Sequence, residues 1–273
     1  MKLNVKNETG KLKSVVLGQP KSMGAAPTLA ESYDAKSYYS IEHNIYPKEE
    51  DIISEVSAFE NVLKKYDVEV FRPAIIEDYN QVFARDVAFV IEDKMIISNV
   101  IKDRADEQEA YREIFEKVEW RKIINLPETA HVEGVDVIVW NDYLFIGTCY
   151  SEDYRSFKTA RTNEYALEIL KEYFPKKRII DLDLKKNDKV PYEGVLHLDC
   201  TFNPVGKDKC IIYKNGFVDQ NDYELIIDIF GEENCFHVTD EEMFEMNPNI
   251  FSISPEVVVS DKTFNRMNNH FRD

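Results

Sequence analysis

His197 and Asp199 stand two residues apart in LHLDC, Glu133 and Asp136 stand three apart in HVEGVD, and Asp86 opens the apolar run DVAFV. Each residue type suggests a chemistry. A histidine beside a fixed carboxylate can move a proton near neutral pH. A group of carboxylates needs a cation, because desolvating an unpartnered charge is costly. Two cations suit such a group. One is a metal ion held by His, Asp and Glu; the other is a planar guanidinium, whose N–H fork meets carboxylate oxygens in pairs. Read as an extended strand, LHLDC puts His197 and Asp199 on one face and Leu198 and Cys200 on the other. Gly134, next to Glu133, permits close backbone approach at a tight connection. Arg85 and Asp86 point to opposite faces, so each needs its own partner. Taken singly, HxD, EGxD and RD also fit structural ion pairs or turns. Their occurrence together, at matching places in a repeat, is more specific.

The elements that must position these residues recur. RDVAFVIEDKMIISN from Arg85, VDVIVWNDYLFIGT from Val135 and LDCTFNPVGKDKCIIYK from Leu198 each read as an Asp-headed strand, a polar turn and a second apolar strand. NIFSISPEVVVSDK from Asn249 reads as a fourth hairpin of this kind, and LNVKNETGKLKSVVLGQP as an earlier one. Amphipathic spacing predicts helices from about Glu49 to Lys65, around Ala110–Val118, behind Thr162 or Asn163, behind Asn221 or Asp222, and behind Asp261. Short strands follow at Val68–Phe71, Lys122–Leu126, Arg178–Leu182 and Cys235–Val238. The unit is hairpin, helix, strand. Its heads are spaced by 50 residues from Asp86 to Asp136, 63 to Asp199 and 50 to Asn249. Five such units predict one closed, pseudo-fivefold α/β assembly over residues 1–273, with extra length at Lys21–Lys48. The fifth helix runs to Asp273 with no strand after it, so the last repeat is incomplete.

The 44% hydrophobic content is that of an ordinary globular chain, and no run is long and apolar enough to span a bilayer. The N-terminus has no signal-peptide pattern, which points to the cytoplasm. Lys+Arg 34 against Asp+Glu 51 gives a net charge of −17, which disfavours nucleic acid and anionic membranes and suits a small cation or simple solubility. Cys149, Cys200, Cys210 and Cys235 lack zinc-site spacing and read as reduced, mostly buried thiols.

FARD (Phe83–Asp86), EGVD (Glu133–Asp136), IGT with ARTN (Ile146–Thr148, Ala160–Asn163) and HLD (His197–Asp199) resemble, in order and spacing, the motifs of the guanidino-group-modifying enzymes. This superfamily comprises arginine deiminases, dimethylargininases and amidinotransferases, and its fold is the five-bladed α/β propeller called the pentein. The resemblance covers essentially the whole chain; EGVD departs from the commoner EGGD. It implies that Asp86 and Asp199 clamp a substrate guanidinium, that His197 is the general acid/base and that Glu133 supports it. It implies that Arg161 holds a substrate carboxylate, with Arg104 assisting, and it places Asn80 near another substrate contact. It implies hydrolysis of a guanidino C–N bond through a covalent cysteine adduct, with no cofactor or metal. In the family that cysteine lies in a strand after the last helix, so the nucleophile is expected beyond Asp273, in a closing strand this chain lacks. Cys200 points away from the His197 face and Cys149 lies at the far end of its hairpin. The alternatives are an amidinotransferase, a non-catalytic guanidine binder, or a metal-dependent hydrolase using His197, Asp199, Glu133 and Asp136. The expected partner is a small cationic guanidine, and a homo-oligomer is left open.

Overall fold

In the computed structural model, which describes residues 1–150 and 154–272, the hairpin–helix–strand unit forms five small separate sheets among the described residues. The first pairs β1 (Ser14–Val16) with β2 (Glu69–Phe71) in parallel; helices α1 (Ala35–Glu42) and α2 (Glu49–Lys65) lie between them in sequence. The second follows a one-turn helix, α3 (Ala84–Val87). It consists of β3 (Ala88–Ile91), β4 (Lys94–Ile97) and β5 (Ile123–Asn125), with α4 (Glu107–Ala110) and α5 (Arg112–Phe115) on the crossover. The third holds β6 (Val137–Trp140), β7 (Tyr143–Thr148) and β8 (Arg178–Asp183), with α6 (Glu164–Tyr173) before β8. The fourth holds β9 (Phe202–Val205), β10 (Lys209–Ile212) and β11 (Cys235–His237), with α7 (Gln220–Phe230) before β11. After α8 (Asp240–Phe244), the fifth pairs β12 (Phe251–Ser254) with β13 (Val257–Val259), and α9 (Asn265–His270) follows.

In sheets two to four the hairpin is antiparallel and the strand after the helix joins its second member in parallel: β4 with β5, β7 with β8, β10 with β11. Edge strand β6 and inner strand β10 bury both faces apart from Lys209, which is why VIVW and CII read as continuous apolar runs. The largest core lies between the third and fourth sheets, where Phe145 meets Phe202 at 4.9 Å between ring centres and Trp140 meets Phe230 at 4.3 Å. Full burial of one such ring stabilises the fold by about 1.5–3 kcal/mol.

Several local expectations change. The heads of the hairpins are single helical turns, not strands. Asp86 sits in α3, Asp136 in a 3₁₀ turn at Gly134–Asp136 and Asp199 in another at Leu198–Cys200. The alternation assigned to LHLDC therefore fails, because only an extended backbone puts residues two apart on one face. The N-terminal segment forms no hairpin with β1. Val5 bridges to Glu92 and Asn7 to Trp140, so it runs across to the second and third sheets. The cap of α7 is Asp219, whose side chain accepts from the Asn221 N–H, while Asp222 accepts instead from the Asp183 N–H. The helix read around Ala110–Val118 is two short turns broken at Tyr111. Helix α2 keeps its expected bounds, with acids in its first turn and lysines in its last, as the helix dipole favours.

Candidate active site

The helical turns at the heads of sheets two, three and four bring the candidate acids together by backbone contact. A side chain on Gly134 would put its Cβ 2.2 Å from the Arg85 carbonyl and 2.8 Å from Phe89 Cβ, so glycine is required there by close approach. Arg85 fastens the turns, donating to the Gly134 carbonyl at 2.9 Å and the Val137 carbonyl at 2.6 Å. Its other partner is Glu8 on the N-terminal segment, so Arg85 and Asp86 do take separate partners.

Glu133 is fully buried and faces three cationic groups. Arg161 Nη1 donates to both carboxylate oxygens, at 3.1 and 2.9 Å. Arg104 Nη1 lies 4.0 Å from Oε2, and His197 Nε2 lies 3.4 Å from the same oxygen. On the other edge of the imidazole, Nδ1 lies 3.2 Å from Asp136 Oδ1. That carboxylate is itself fixed, accepting from the Leu198 N–H at 3.0 Å and the Thr162 hydroxyl at 2.7 Å. Burial alone would pull the His197 pKa down, but Asp136, Asp86 and Glu133 outweigh it and raise it above the usual imidazole value. Burial would likewise raise Asp136, yet the imidazolium and the Thr162 hydrogen bond hold it below the usual carboxylate range. His197 thus stands between two acids that favour its protonated form, and a protonated imidazole is a proton donor.

Asp86 is buried against Arg104, whose Nη1 donates to its Oδ2. Arg104 also meets Glu107, with Nε donating to one oxygen at 2.6 Å and Nη2 to the other at 2.9 Å. Asp199 accepts from Asn249 Nδ2 at 2.7 Å and from the Cys200 thiol at 3.6 Å, and burial pushes its carboxyl up to about 6. Arg161 donates further to the Lys158 carbonyl at 2.5 Å and the Tyr33 carbonyl at 2.9 Å. Of the expected residues, Asp86, Glu133, His197, Arg104 and Arg161 form one connected buried group. Asp199 borders it, its carboxyl feeling the charges of His197, Asp86 and Asp136. Asn80 lies outside that connected group: its side-chain carbonyl accepts from the Val82 N–H at 3.2 Å. Asp136 acts as the fixed support of His197, a role the motif reading left to Glu133. Glu107 escaped that reading entirely, and the only signal for it is its spacing three residues after Arg104.

Ligand atoms of Asp86, Glu133 and His197 lie within 4.8 Å of one another, close enough for a metal set. Two arginine forks already meet Asp86 and Glu133, and any incoming cation, a divalent ion or a guanidinium, would have to share those oxygens with them. Asp136 faces the opposite imidazole nitrogen from Glu133, so these two acids and His197 do not converge on one point as ligands. The four cysteines are buried and none is in a disulfide. Burial pushes the Cys200 thiol far above its ordinary value, which suits a structural thiol and not a thiolate nucleophile.

Residues 19–271 match the family described as N,N dimethylarginine dimethylhydrolase, eukaryotic. The chain belongs to that family. Among curated proteins, this dimethylarginine dimethylhydrolase family member is 24% identical over 256 residues to the uncharacterized protein YkgA of Bacillus subtilis, covering 93% of this chain and 80% of that protein. Its fold is similar to that of SxtG, an amidinotransferase of Microseira wollei, with a TM-score of 0.74 at 17% identity over 99% of this chain and 88% of the other. It is also similar to the N-terminal domain of ArgZ, an arginine dihydrolase of Cyanobacteria, solved with a covalently bound reaction intermediate; the TM-score is 0.73 at 14% identity over 94% of this chain and 87% of that one. These relatives give the chain its fold: it is a pentein-type α/β protein. No helix among the described residues is long and apolar enough to cross a membrane.

Proposed function

We propose that this chain acts on the guanidino group of an arginine-like compound and cleaves a guanidino C–N bond by hydrolysis. The observation that carries the reading is Glu133, a fully buried carboxylate facing His197 Nε2 and the guanidinium forks of Arg161 and Arg104. A buried cluster that already pairs guanidinium groups with Glu133 and Asp86 has the chemistry to recognise another. In this reading Asp86 and Asp199 flank the substrate guanidinium, and Glu133 balances its charge. A cysteine thiolate attacks the guanidinium carbon to form a C–S bond. The C–N bond to the leaving amine breaks, and the His197 imidazolium supplies that amine with its proton. Water, deprotonated by the now neutral His197, then attacks the same carbon. The C–S bond breaks, the thiolate is restored and a ureido product leaves. An amine acceptor in place of water would make the same site an amidinotransferase.

The nucleophile is not assigned to Cys200, whose buried thiol is pushed far above its ordinary value. We read the five sheets as blades of a pseudo-fivefold ring. The bond from the Leu12 N–H to the Ile253 carbonyl, at 2.8 Å, and the packing of Leu63 and Val68 on Ile253 support this by joining the first and fifth sheets.

The test is to express the protein encoded by the full reading frame and to incubate it with arginine, methylated arginines and agmatine. Ureido product with released amine is expected from at least one. Turnover of none would refute the reading, and amidino transfer to an added amine without ureido product would replace hydrolysis by transfer.

A further inference from the structure

Two of the four cysteines meet across a pair of strands in the fourth sheet. Cys210 in β10 and Cys235 in β11 are direct partners in the parallel ladder, so their side chains leave the sheet on the same face. The Cys210 thiol donates to Cys235 Sγ at 3.4 Å, and Cys235 Sγ lies 3.2 Å from the Gly231 carbonyl. Neighbouring strands run about 4.8 Å apart, inside the Cα separation of about 4.4–6.8 Å that a disulfide spans. From 3.4 Å the sulfurs need to close by only about 1.4 Å to reach the bonded distance. A buried thiol also packs as a small apolar group, but that role needs no second thiol opposite it.

The two thiols differ in access and in acidity. Cys210 is fully buried in the middle strand of the three, whereas Cys235 is 6% exposed on the edge strand. The hydrogen bond from Cys210 pulls the Cys235 thiol below its ordinary value, and the same bond together with burial pushes Cys210 far up. One sulfur is thus the better nucleophile at the rim of the sheet, with a second waiting directly behind it. Cys200 has no such partner in its own bond: it faces the Asp199 carboxylate at 3.6 Å, and its thiol is pushed up.

We propose that Cys210 and Cys235 form an oxidation site, closed to a disulfide by a peroxide and reopened by a dithiol. The Cys235 thiolate attacks one peroxide oxygen, the O–O bond breaks, and a sulfenic acid and hydroxide result. The Cys210 sulfur then attacks the sulfenic sulfur; the S–S bond forms, the S–O bond breaks and the oxygen leaves as water with the Cys210 proton. Two thiols lose two electrons and two protons, and one peroxide becomes two waters. The bond closes a loop over 25 positions that contains α7, and so fastens β11 to the sheet.

The test treats the folded 273-residue chain with hydrogen peroxide, alkylates the remaining thiols in denaturant and digests with trypsin without reductant. Lys214 lies between the two cysteines, so they fall in separate peptides. A linked pair carrying Cys210 and Cys235, lighter by two hydrogens than its parts and separated by dithiothreitol, is expected. The oxidised chain should also melt about 3–10 °C higher than the reduced one. Recovery of the two cysteines in unlinked peptides would overturn the proposal, as would a link from either to Cys149 or Cys200. A linked chain that melts no higher than the reduced one would overturn the fastening role. Cys235→Ser is expected to lose both the link and the melting shift. A shift that persists in the folded variant would overturn its assignment to this pair, and the wild-type peptide result stands even if the variant does not fold.

Discussion

Replacing Asp136 by Asn should lower the pKa of His197, and the structure sets the size of the effect. The carboxylate stands 3.2 Å from Nδ1, so at an effective dielectric of about 20 the attraction is roughly 5 kcal/mol, or nearly 4 pKa units as an upper bound. Asp86 and Glu133 remain and the site relaxes, so a fall of about 1–3 units is expected. The variant keeps one oxygen for the Leu198 N–H, while its amide NH2 takes the place of the oxygen that accepts from Thr162, whose hydroxyl must turn to accept instead. His197 is raised in the folded protein, so its stabilisation is fully present below the unfolded imidazole pKa and is lost as pH rises through the folded value. In Asp136→Asn the width of that window shrinks. Proton NMR titration of the five histidines, with His197 assigned from a His197→Gln spectrum, reads the midpoint directly. A midpoint that stays where it is in the wild type would refute the assignment of Asp136 as the group that raises the His197 pKa.

Two further outcomes follow from the same geometry. Burial pushes Asp199 up to about 6, so between about pH 4 and pH 6 the folded state holds a proton that the unfolded chain has released. Stability should therefore fall as pH rises through that range, and Asp199→Asn should recover about 1–2 kcal/mol of it near pH 8 after allowance for partial exposure. Urea midpoints at the two ends of the range check the sign, and a variant less stable than wild type near pH 8 contradicts it. Gly134→Ala places a Cβ 2.2 Å from the Arg85 carbonyl, so a loss of about 1–3 kcal/mol is expected, measured by urea denaturation. A neutral effect would mean that the FARD and EGVD turns are not in contact as described.

The fold was largely legible because its unit repeats. A hairpin followed by an amphipathic helix and a strand is read from periodicity, and Asn163 declares the start of α6 by accepting from the Ala166 N–H. The heads of the hairpins were not legible. A single helical turn at Leu198–Cys200 or Gly134–Asp136 is too short for any period, and the apolar run beside it reads as strand from the first residue. The N-terminal segment misled for a related reason: Val5 and Asn7 have strand character, but their partners, Glu92 and Trp140, lie in other sheets. At the site, residue types and motif order brought Asp86, Glu133, His197, Arg104 and Arg161 to one place. Their pairing was hidden, because an arginine reads the same whether it waits for a ligand or is neutralised by a buried acid such as Glu107.

The central claim is that the buried carboxylates around His197 receive a substrate guanidinium, and its most direct test is the affinity of methylguanidine for the wild-type chain and for Glu133→Gln. Glu133 faces His197 and both arginine forks, so removing its charge should weaken binding by about ten- to a hundredfold, the range of one charged hydrogen bond. A melting scan confirms that the variant is folded, and Asp86→Asn serves as a second probe of the same cluster. Equal affinity for methylguanidine in the wild type and both folded variants would contradict the account.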